Sequence, residues 1–82
     1  KKEKKDSMRE VIVGQVYKHF KGKMYKVLNI GYSADNLEKM VIYQALYDDN
    51  KIWVRNYDEF NSYVDKNNYP NITQKYRFEE VC

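Results

Sequence analysis

Hydrophobic and polar positions alternate with a period of two over most of the chain, the spacing of half-buried β-strands. The densest block is Met40-Val-Ile-Tyr-Gln-Ala-Leu-Tyr47, followed after a turn by Ile52-Trp-Val-Arg55. Together these segments predict one hairpin. In the longer strand, expected over Leu37–Tyr47, Met40, Ile42, Gln44 and Leu46 share one face; Val41, Tyr43, Ala45 and Tyr47 share the other. Both faces are largely apolar, as expected of a strand central to a closed sheet. Asp48-Asp-Asn-Lys51 supplies the turn. On the return strand Trp53 and Arg55 fall on one side, and Ile52 and Val54 are expected to enter the core.

Upstream, Val16–Phe20 and Met24–Tyr32 have strand composition, and Phe20-Lys-Gly-Lys23 joins them through a turn in which Gly22 takes positive φ. Strict alternation places Tyr25 and Val27 on one face of the second strand, with Met24, Leu28 and Ile30 opposite. Gly31–Asn36 is turn-rich and predicts a loop. The period then changes: Phe60 and Val64, four apart within Asp58–Asp65, predict a short helix capped by Asn56 or Asp58. Tyr76-Arg-Phe78 predicts a short closing strand. Five short antiparallel strands and one helix sum to a mainly β fold, a small barrel whose closure removes free sheet edges.

Composition sharpens this. Eighty-two residues allow one domain with a small core, and nine Tyr, three Phe and one Trp supply its buried area. Cys82 is the single cysteine, so no intramolecular disulfide forms, and a reducing, cytoplasmic setting is expected. No apolar stretch is long enough to span a bilayer, and no membrane partner is expected. The first residue is Lys rather than Met, which suggests that the native start lies further upstream. Residues 1–10, charged and without period, are expected to be a flexible tail ahead of a single domain over 11–82. A net charge of +3 falls short of the dense basic stripe of a dedicated nucleic-acid binder.

The order Tyr17-x-His-Phe-Lys-Gly22, Tyr25-x-Val-Leu28, Leu37-Glu-x-Met-Val-Ile-Tyr-Gln-Ala-Leu-Tyr47, Trp53-Val-Arg55, Phe60 and Arg77-Phe78 resembles the bacterial family known as domain of unknown function 1653. The resemblance runs from about Gly14 to Phe78. It implies an SH3-like β-barrel and no defined activity. The chain departs from the family pattern twice. The loop at Ser33-Ala34 lacks the His typical of the family, and Tyr76 stands where a Pro often precedes the Arg-Phe pair.

Candidate chemistry is sparse. His19 is the only histidine and has no second ligand for a metal; Cys82, at the chain end, is poorly positioned for a nucleophile. No catalytic residue, metal or cofactor is assigned. Trp53 beside Arg55 offers a cation–π pair and a guanidinium able to grip phosphate or carboxylate; the ordinary alternative is an aromatic cap with Arg55 paired to Glu38 or Asp58. Tyr43 serves either cross-strand packing or a stacking platform. Gln44, if buried, must satisfy its amide. The expected function is a small non-enzymatic binding module, its surface formed by Trp53, Arg55, Tyr43, Gln44, His19 and Arg77. The expected ligand is a peptide, a nucleotide or single-stranded nucleic acid. The alternatives are a small hydrolase-like enzyme or accessory domain using His19 with Glu38 and Arg55 on an anionic substrate, or a structural interaction domain of a larger polypeptide.

Overall fold

The computed structural model describes residues 9–81. Most of the expected tail and Cys82 lie outside the described residues. The fold is mainly β: β1 (Val16–His19), β2 (Met24–Tyr32), β3 (Lys39–Ala45), β4 (Ile52–Asn56), the single-turn helix α1 (Tyr57–Phe60) and β5 (Phe78–Glu80). The strands form one antiparallel sheet in the order β4-β3-β2-β1-β5. Each sequence-adjacent pair from β1 to β4 is a local hairpin or meander connection. β5 returns from the far end of the chain to pair with β1, setting His19 opposite Phe78.

The turns explain the hairpins. Gly22 adopts φ +105°, as its position between Lys21 and Lys23 requires, and its N–H donates to the His19 carbonyl at 2.7 Å. In the β3–β4 turn Asp48 and Asn50 take left-handed φ of 51° and 56°, which short polar side chains tolerate best. The Asn50 amide donates to the Ala45 carbonyl at 3.0 Å, closing that turn over the end of β3.

The sheet does not close into a barrel, contrary to expectation. Among the described residues β4 pairs only with β3 and β5 only with β1. Two physical reasons are visible. β5 has three residues and offers only a short free edge, and after Asn56 the chain leaves β4 for α1 instead of continuing along an edge. The opening is covered by α1 and the segment after it, where Val64 donates to Lys75 O at 2.8 Å and Arg77 N to Ser62 O at 2.8 Å.

One face of the sheet carries the core. Tyr17, Val27, Val41, Tyr43, Phe60 and Phe78 are buried, with Val11 folded over them. Phe60 lies flat on Phe78, centroids 4.1 Å apart and planes 3° from parallel, while Tyr17 and Tyr43 meet Phe60 edge-on at 5.3 Å. Asn56 caps α1, its side chain accepting from Asp58 N (2.8 Å) and Glu59 N (3.2 Å).

Three expectations about faces and lengths need correcting. Ile52 and Val54 do not enter the core: they are 55% and 58% exposed. Only one face of this single-layer sheet is covered, and Trp53 and Arg55 take that side of β4. Ile30 joins the core face because the β2–β3 register shifts between Val27 and Asn29, so Ile30 pairs with Val41. A bulge of one residue reverses the alternation beyond it. The helix stops at Phe60 and does not reach Asp65, because Tyr63 is drawn into a bridge with Tyr76; the last strand accordingly begins at Phe78, two residues later than expected.

Candidate functional site: a ring-lined cleft opening onto a cationic recess

The concave face of the sheet holds a cleft of about 170 Å³ to which every strand contributes. His19 comes from β1, Tyr25 from β2, Tyr43 from β3, Trp53 and Arg55 from β4, and Phe78 from β5. Its floor is aromatic: the Tyr25 ring meets Tyr43 at 5.4 Å and Phe78 at 5.7 Å, both edge-on. Trp53, directly opposite Tyr43 in the β3–β4 register, stays 45% exposed at the mouth, with Lys51 Nζ 5.6 Å above its ring.

Arg55 is held from beneath. Its Nε donates to the Tyr43 hydroxyl at 3.1 Å, and Nη1 lies 3.8 Å from Glu59 Oε1, one helical turn on. Of the expected partners, Glu38 is engaged elsewhere. It accepts from Asn56 Nδ2 at 3.1 Å and lines neither this cleft nor the recess beside it. The His19–Glu38–Arg55 combination is therefore not assembled, although His19 and Arg55 do share the cleft.

His19 stacks on Phe20 (4.4 Å, 28°) and meets Phe78 edge-on at 4.9 Å. Burial pushes its pKa down to about 4, and the nearby positive charges of Arg77, Arg55 and Lys21 add to the effect. At neutral pH the ring is uncharged. Its Nδ1 accepts from Lys21 N at 3.1 Å, which leaves Nε2–H as the donor. The Gly22 turn thus fixes the imidazole and sets Lys21 beside it.

Past His19 and Arg55 the cleft meets a second recess of about 320 Å³, walled also by Lys21, Asp65, Tyr69 and Arg77. Arg77 Nε lies 3.5 Å from Ser62 Oγ. Asp65 is occupied locally, accepting from Asn67 N (3.0 Å) and Asn68 Nδ2 (2.8 Å). The recess has three cationic side chains against this one carboxylate.

Of the expected site residues, the structure brings His19, Tyr43, Trp53 and Arg55 into the cleft and Arg77 into the adjoining recess. Gln44 is not among them. It lies on the opposite face, donating to the Asn50 carbonyl at 3.0 Å, and serves the hairpin turn. Sequence reasoning did not count Tyr25, Phe78 and Lys21 as site residues. A signal existed for two of them: Lys21 follows His19 by two, and a Gly22 turn pairs Tyr25 with Tyr17. Phe78 reaches the cleft only through the β1–β5 pairing, which no local pattern announces.

Among the described residues, no three His, Cys, Asp or Glu side chains cluster to hold a metal ion, and no helix is long and apolar enough to cross a membrane. No curated protein and no solved structure matches the chain. The family model described as "Protein of unknown function (DUF1653)" matches residues 15–80, the whole sheet, and the chain belongs to that family.

Proposed function

We propose that this chain is a non-enzymatic binding module that takes a nucleotide unit, free or within a single strand, with its base in the ring-lined cleft. One observation carries the reading: all five strands direct side chains into one aromatic cleft whose mouth keeps an indole half exposed beside a tethered guanidinium. A volume of about 170 Å³ is below the roughly 300–1,000 Å³ of sites that enclose a whole drug-sized ligand. It suits a single planar ring system, and stacking on aromatic side chains contributes about 1–3 kcal/mol per base. Exposed Trp and half-buried Arg are also the residue types that dominate binding energy.

The enzymatic alternative has weaker support. A general base works best with a pKa near the operating pH, whereas His19 sits near 4 and its Nδ1 accepts from the Lys21 backbone N–H rather than facing a carboxylate. We read the curved five-stranded sheet as an opened SH3-like architecture, and the single cysteine as suited to the cytoplasm of a bacterial cell.

The chain's sole tryptophan provides the test. Titration with hexathymidylate and hexauridylate at two salt concentrations is expected to change Trp53 fluorescence saturably, with weaker affinity at the higher salt. Trp53→Ala, read by the anisotropy of fluorescein-labelled hexathymidylate because this variant has no tryptophan, is expected to lower affinity while leaving the melting temperature within a few degrees. Absence of saturable binding at both salt concentrations, with the protein folded, ends this reading.

A further inference from the structure

We propose that the recess formed by Lys21, Arg55 and Arg77 is a phosphomonoester subsite, so that the module recognises the phosphorylated end of a nucleotide chain in preference to its interior. This rests on the nucleotide reading of the adjoining cleft. The two cavities share His19 and Arg55, so a base lying between Tyr25 and the half-exposed Trp53 has its sugar-phosphate portion directed into the recess.

The charge count selects a monoester. Lys21, Arg55 and Arg77 against Asp65 leave a local excess of two positive charges, and Asp65 is turned to Asn67 and Asn68. A phosphate monoester carries about −1.5 to −2 charge at neutral pH and three terminal oxygens. An internal diester carries a single charge. Glu59, the other acid near Arg55, is 3.8 Å away and 65% exposed, where solvent screens it.

The geometry of the arginines agrees with this charge match. Both guanidinium groups approach an oxygen of the fold through Nε: Arg55 donates to Tyr43 Oη at 3.1 Å, and Arg77 lies 3.5 Å from Ser62 Oγ. That mode of attachment leaves the terminal nitrogens turned towards an oxyanion, the arrangement in which Arg binds phosphate bidentately, although Arg55 Nη1 also faces the exposed Glu59 carboxylate at 3.8 Å. Lys21 Nζ lies 5.6 Å from the Tyr69 ring centroid and 5.9 Å from that of Phe20, which keeps the ammonium at the rim. The neutral His19 adds one donor, Nε2–H, without further charge.

The experiment compares hexathymidylate carrying a 5′-phosphate, a 3′-phosphate or neither, titrated against Trp53 fluorescence, and adds phenyl phosphate followed through the His19 ring signals by NMR. One phosphorylated form is expected to bind at least tenfold more tightly than the unphosphorylated oligomer. Lys21→Gln and Arg77→Gln are each expected to erase most of that margin, lowering the affinity for phosphorylated hexathymidylate several-fold more than that for the unphosphorylated oligomer. Lys21 is exposed and in a turn, so its substitution reads the charge without disturbing the fold. Equal affinity of all three oligomers overturns the subsite and leaves the nucleotide reading standing. Failure of every oligomer to bind, with phenyl phosphate still shifting His19 saturably and Lys21→Gln abolishing that shift, upholds the subsite and ends the nucleotide reading. No response to any probe overturns both. A phosphotyrosyl peptide that binds more tightly than phosphorylated hexathymidylate overturns the nucleotide end as the occupant.

Discussion

Tyr43→Phe separates the fold from the site, because the two halves of this side chain do different things. The ring is 3% exposed and touches Tyr25, Phe60 and Phe78 at centroid distances of 5.4, 5.3 and 5.4 Å. Phenylalanine preserves all three contacts and leaves no cavity. Only the hydroxyl is lost, and with it the 3.1 Å bond from Arg55 Nε. The Arg55 side chain is 32% exposed, so its freed Nε finds water and no donor is orphaned. The stability cost is therefore that of one exchanged hydrogen bond, about 1 kcal/mol, or roughly 4–8 °C in melting temperature for a domain of this size. Binding suffers separately. A guanidinium that must be ordered on association costs about 0.5–1.5 kcal/mol, roughly a two- to twelvefold loss of affinity. Tyr25→Phe is the control: it removes a 2.5 Å bond to the Tyr47 hydroxyl at similar stability cost and leaves Arg55 tethered. Thermal unfolding by circular dichroism and Trp53 titration with phosphorylated hexathymidylate measure the two effects. If both variants lose the same few degrees but bind as the parent does, positioning of Arg55 contributes nothing to recognition.

Two further consequences concern protonation and backbone strain. With a folded pKa near 4 against 6.5 unfolded, His19 takes up its proton in the unfolded chain first, so its contribution to stability is present above about pH 6.5 and is lost as pH falls towards 4. The shift corresponds to about 3 kcal/mol if fully buried, and roughly 1–2 kcal/mol after allowance for solvent screening of a half-exposed ring; the unfolding free energies of the parent and His19→Gln from urea titrations should converge by that amount between pH 7 and pH 4, and parallel curves exclude it. Phosphate in the recess, by offsetting Arg77, Arg55 and Lys21, should raise the imidazole pKa in an NMR titration. Leu37 holds φ 65° while 77% exposed, a conformation that costs a β-carbon residue about 1 kcal/mol and gains no burial; Leu37→Asn should raise the melting temperature by a few degrees, and a fall would mean that the exposed leucine makes a stabilising contact.

What could be read from the sequence was set by locality. The two hairpins follow from turn chemistry at Gly22 and at Asp48–Asn50, and period-two spacing is enough to put Trp53 and Arg55 on one face with Tyr43. The helix cap at Asn56 follows from the same short-range logic. Errors begin where a one-residue event or a distant pairing intervenes. The bulge after Val27 moved Ile30 to the core, and nothing in Val-Leu-Asn-Ile marks it. Ile52 and Val54 look like core residues in isolation; that the sheet has only one covered face is a property of the whole fold. Phe78 and Arg77 join the site because β5 returns to β1, and the expected closure failed because β4 is followed by α1 instead of a neighbour for β5.

The tyrosine content has a structural explanation that narrows the functional one. A phenylalanine core would bury similar area, but four tyrosine hydroxyls here tie the inner face to chain segments that the sheet does not hold. Tyr57 accepts from Val11 N and Tyr17 from Ile12 N, each at 2.9 Å, fastening the segment ahead of β1 over the core. Tyr25 bonds Tyr47, joining β2 to the turn that launches β4, and burial together with that bond raises the Tyr25 pKa well above the ordinary phenol value. In these three cases the polar end of the ring is consumed in holding the fold, so ring density alone is no sign of a ligand. Tyr43 differs, since its hydroxyl meets a cation that reaches the cleft. On the proposed reading, recognition is concentrated where β4 is an edge strand, and an edge left open at Trp53 and Arg55 would admit a guest that a closed barrel of the same residues would exclude.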